Sequence, residues 1–84
     1  MTIRAITKSG TEYLFTQNEN GELHFMKGII TGKVTEMRRP IEVGNILEFD
    51  FIRDGIYGEP EAFPTYLQST EIVKITVSDL ITRK

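Results

Sequence analysis

The sequence predicts an all-β domain: a small antiparallel barrel or roll of about six strands, broken by one long loop at about 53–67. Three observations carry that expectation. Apolar residues recur at every second position in several short windows, the period of a strand with one buried face. Turn-forming Gly dipeptides separate those windows. None of the windows offers the three-and-four spacing of an amphipathic helix as well.

The elements follow in chain order. TIRAITK, about 2–8, is the first strand, and Ser9-Gly10 supplies a tight turn after it. In the second, about 11–17, Tyr13 and Phe15 alternate; in the third, about 22–27, Leu23 and Phe25 do so. Asn20-Gly21 lies between them and is the strongest short-range hairpin signal in the chain. The fourth strand spans about 29–37, and Gly28 and Gly32 mark where a bulge or sharp coil is expected. Pro40 and Gly44 bracket a short link. The fifth, about 46–53, puts Leu47, Phe49 and Phe51 on one face and Glu48 and Asp50 on the other. Val73, Ile75 and Val77 repeat the pattern in the sixth, about 71–78, with Lys74 and Thr76 opposite. The tail from Ser78 is expected to form one helical turn or to fray.

Six short strands with one apolar face each must bury those faces together. A flat sheet would leave them wet and both edges open, so the sheet is expected to curl, with the last strand pairing near the first. In outline this resembles SH3-like and OB-like barrels, without a family signature.

The chain has 84 residues, enough for one domain spanning 1–84. It has no cysteine, so no disulfide frame or thiolate zinc site supports the core. That composition suits a reducing compartment, and a cytoplasmic location is expected. No apolar run approaches the roughly 20 residues of a membrane helix, and the N-terminal residues lack the apolar stretch of a secretory leader.

Net charge is −2, unevenly placed. Residues 1–40 balance at +2, residues 41–71 at −6 and residues 72–84 at +2. The acids of the middle segment suit outward strand positions and a loop, or a surface that attracts a basic partner.

Little catalytic chemistry is legible. His24 is the only histidine and alternates away from Leu23 and Phe25, which puts it on a solvent face without a recognisable partner. GIITGKV, residues 28–34, has three residues between its glycines and Val34 after Lys33, so it is no phosphate loop. Asp50, Asp54, Glu59 and Glu61 are oxygen ligands without calcium-loop spacing. No enzyme, metal or cofactor is implied.

Two binding readings stand. The first is a non-enzymatic interaction module that holds a protein partner, or a second copy of itself, through the 53–67 loop and the nearby acidic face. Tyr57 and Tyr66 supply the contacts and Glu59 and Glu61 a negative rim, while Phe63 or Ile56 folds inward to cap an open barrel end. The second is a single-stranded nucleic-acid binder. It uses Lys27, Lys33, Arg38 and Arg39 beside Phe25 as a stacking face, against an overall pI near 5.3.

Overall fold

A computed structural model describes residues 1–55 and 59–78 of the chain. Six strands run in order: β1 Thr2–Thr7, β2 Glu12–Gln17, β3 Leu23–Lys27, β4 Ile30–Met37, β5 Ile46–Arg53 and β6 Thr65–Ser78. Each is antiparallel to its neighbours, and β6 returns to β1. The sheet therefore closes into a barrel whose ring order is the chain order, with no Greek-key crossing. Closure gives every described strand a paired neighbour on each side. The expected helical turn after Ser78 lies outside the described residues.

Alternation sorts the side chains as the sequence predicts in β1, β2, β3 and β5. Ala5, Tyr13, Phe15, Phe25, Leu47, Phe49 and Phe51 all point inward and are buried, joined by Ile72. Four phenylalanines interlock at the centre. Phe25 meets Phe51 at 4.5 Å between ring centroids and Phe49 at 5.0 Å, and Phe15 meets Phe49 edge-on at 5.5 Å. Tilted and edge-to-face contacts of this kind add about 0.5–1.5 kcal/mol each beyond the area they bury.

The sixth strand departs from expectation in two ways. It begins at Thr65, so the preceding connection ends at Pro64 and Tyr66 and Leu67 belong to a strand. It is also 14 residues long and serves two neighbours, pairing through its first half with β5 and through its second with β1. An extra β6 residue interrupts each ladder. One falls between Gln68 and Glu71, the other at Val73. Because a bulge of one residue flips the faces, Ile72 takes the core position opposite Thr7, and Val73 is left half-exposed. At the first bulge the buried Leu47 amide donates to Ser69 Oγ at 2.9 Å.

The fourth strand has its own bulge. The register shifts between Val34 and Glu36, with Thr35 as the extra residue, three positions past the glycine where a bulge was expected. Gly32 has a different task. A Cβ there would lie 2.5 Å from the Ile52 carbonyl oxygen and 3.1 Å from a Phe51 ring carbon, so β4 and β5 approach there too closely for any side chain. Gly28, with φ +60°, makes the two-residue turn from β3 to β4.

Candidate interaction site

The 54–64 connection is pinned where it leaves the barrel. The Asp54 amide donates to the Thr31 carbonyl at 3.0 Å, and the Thr31 hydroxyl donates to Asp54 Oδ2 at 2.8 Å. The Gly55 amide donates to the Glu59 carbonyl at 2.7 Å, and the Glu61 amide to the Arg53 carbonyl at 2.9 Å. Asp54 and Pro60 form an isolated antiparallel bridge. Backbone groups that lack a ladder are thus satisfied locally, which holds Pro60 to Pro64 in place.

What this connection displays is Phe63. The sequence expectation placed it inward; it is 80% exposed. The interior is already filled by Tyr13, Phe15, Phe25, Phe49 and Phe51, packed to the density of a protein core, so a sixth ring is excluded from it. Glu59 and Glu61 are exposed on the same connection. No ion pair among the described residues involves Asp54, Glu59 or Glu61. Tyr57 and Ile56 lie outside the described residues.

Tyr66 stands on the outer face of β6, opposite Asp50. Its hydroxyl donates to Glu48 Oε2 at 2.5 Å, and the Arg38 guanidinium lies 5.7 Å from its ring centroid. Arg38 in turn grips Asp50 through Nη2 at 2.7 Å, and Arg39 Nε donates to Glu48 at 2.6 Å. The consequences for titration follow. The Tyr66 hydrogen bond, then the Arg39 one, hold the Glu48 carboxyl below its ordinary range. The same bond to Glu48 pushes the Tyr66 phenol up. Asp50 stabilises the charged Arg38 and raises it further. Tyr66 is therefore part of an ionic lattice on the β4–β5–β6 face and remains about half exposed.

The basic segment is dispersed by the fold. Phe25 is buried and presents no stacking face. Lys27 sits 5.6 Å from the Tyr13 ring, and Lys33 pairs with Glu22 at 2.8 Å on the outer face. That pairing, with a second hydrogen bond from Asn18, lowers the Glu22 carboxyl. Arg38 and Arg39 face the acids of β5. Each of the four cations already has a partner within the chain.

His24 lies on the outer face of β3, its Nε2 3.9 Å from Glu22 Oε1. Beside it is a hollow of about 210 Å³, whose lining includes Leu14, Thr16, His24, Met26, Thr31 and Asp54, together with Phe25 and Gly32. Sequence reasoning did not assemble these residues, since they come from three strands and the root of the 54–64 connection. Among the described residues no three His, Cys, Asp or Glu side chains cluster to hold a metal ion. Comparison with known proteins finds no matching family model, no similar curated protein and no similar solved structure.

Proposed function

We propose that this chain is a small non-enzymatic interaction module that holds a basic protein partner through Phe63 and the acids of the 54–64 connection. One observation carries the reading. Of the five phenylalanines, four are buried together and the fifth stands in solvent on a backbone segment tied to the barrel. A large apolar side chain held outward, beside carboxylates that form no ion pair among the described residues, has the make-up of an interface anchor, and its charge selects cations. Tyr66 extends the surface from β6. Self-association is less favoured, because two copies would bring acidic connections together. The nucleic-acid reading has less support, since its cations are matched within the chain.

The test is an array of short peptides that vary in charge and in aliphatic content, probed with the wild type and with Phe63→Ala. Binding to basic, aliphatic-bearing peptides is expected to fall at least about tenfold in Phe63→Ala, the loss of one anchor of roughly 1.4 kcal/mol or more. It should also weaken as salt rises. Equal binding by both proteins, or no preference for basic peptides, overturns the reading.

A further inference from the structure

We infer that the hollow on the outer face of β2–β3–β4 takes one aliphatic side chain of the same basic partner, with an adjacent cation of that partner resting on Asp54. The inference depends on the reading of the 54–64 connection above and adds a second, separate subsite to it.

Size and lining argue for a single side chain. At about 210 Å³ the hollow is smaller than the sites that enclose drug-sized molecules, which start near 300 Å³. Its walls are chiefly apolar, from Leu14 and Met26, and Met26 is 42% exposed on the outer face of β3. A thioether wall adapts its shape to whichever aliphatic group enters.

Position and charge identify the occupant. Asp54 lines the hollow and is also the first residue of the connection that carries Phe63, so one residue belongs to both. Around them Lys33 is neutralised by Glu22, which leaves Asp54, Glu59 and Glu61 against Arg53 and Lys27. This surplus of negative charge repels nucleic acid and acidic peptides. It also disfavours a second copy, whose exposed Phe63 would bring Glu59 and Glu61 against Asp54. A chain segment alternating aliphatic and cationic residues satisfies both the walls and the rim.

The probes are three blocked tripeptides, Lys-Leu-Lys, Lys-Ser-Lys and Glu-Leu-Glu, and an eight-nucleotide thymidine oligomer. Each is titrated into the isotopically labelled full chain and followed by amide and methyl resonances. Lys-Leu-Lys alone is expected to shift Leu14, Thr16, His24 and Met26, with leucine-methyl contacts to the Met26 methyl. Asp54→Asn should weaken that binding roughly two- to fivefold, the loss of one exposed charge contact. Silence of these resonances up to millimolar Lys-Leu-Lys overturns the inference, as do equal shifts from Glu-Leu-Glu or larger ones from the oligomer. If Phe63→Ala abolishes peptide-array binding while the hollow stays silent, the hollow assignment alone fails. If the hollow responds and Phe63→Ala changes nothing, the reading of the connection fails, and with it the claim of one shared partner.

Discussion

Tyr66 and Glu48 are bonded diagonally across β5 and β6, the phenol donating to the carboxylate at 2.5 Å while Asp50 stands directly opposite Tyr66. Diagonal neighbours on a sheet face are within reach of long side chains, and here the long chain is the tyrosine. Arg38 and Arg39 complete the lattice from the end of β4.

A pH-dependent stability difference between the wild type and Tyr66→Phe follows. The lowered Glu48 carboxyl contributes stability that is present above the ordinary glutamate range and is lost as pH falls through the lowered value. The raised Tyr66 phenol contributes stability that is full below the ordinary tyrosine range and is lost as pH rises through the raised value. The wild type should thus exceed Tyr66→Phe in denaturant midpoint across neutral pH, and the gap should close at both extremes. A gap that stays constant with pH would assign the difference to packing.

Ser69→Ala probes the bulge that lets β6 turn from β5 to β1. Ser69 Oγ is the acceptor for the Leu47 amide, which the shifted register leaves without a carbonyl. Leu47 is almost fully buried, so the orphaned amide would cost roughly 1–3 kcal/mol. Equilibrium unfolding measures the loss, and faster hydrogen exchange at the Leu47 amide localises it. An unchanged Leu47 exchange rate would show that another acceptor replaces the hydroxyl.

Much of the barrel was legible because β1, β2, β3 and β5 alternate without interruption. Leu47, Phe49 and Phe51 sit inside, and Glu48 and Asp50 outside, as period two requires. The reading failed where a bulge resets the count. Ile72 and Val73 are both β-branched and suit either face, so nothing in EIVKITV says which is the extra residue. Thr65 to Thr70 looked like loop because its polar residues hide the alternation that β5 imposes by pairing. The candidate site was half legible: Glu59, Glu61 and Tyr66 were singled out, but Phe63 was turned the wrong way. A volume argument was available, since four phenylalanines at strand positions already fill a barrel this small. The hollow was not legible at all, because only register brings Leu14, Met26 and Asp54 together.

Phe49→Ala and Phe63→Ala should separate fold from function. Phe49 has no exposed surface and touches Phe15, Phe25 and Phe51, so truncation removes its transfer free energy and leaves a cavity. The cost should be about 3–5 kcal/mol, most of what a domain of this size possesses. Phe63 has almost nothing around it to lose, and its truncation should stay within about 0.5 kcal/mol of wild type. Chemical denaturation of the two variants beside the wild type measures both. Should Phe63→Ala unfold as readily as Phe49→Ala, Phe63 would be a core residue after all, and its place as the anchor of an interface would be lost.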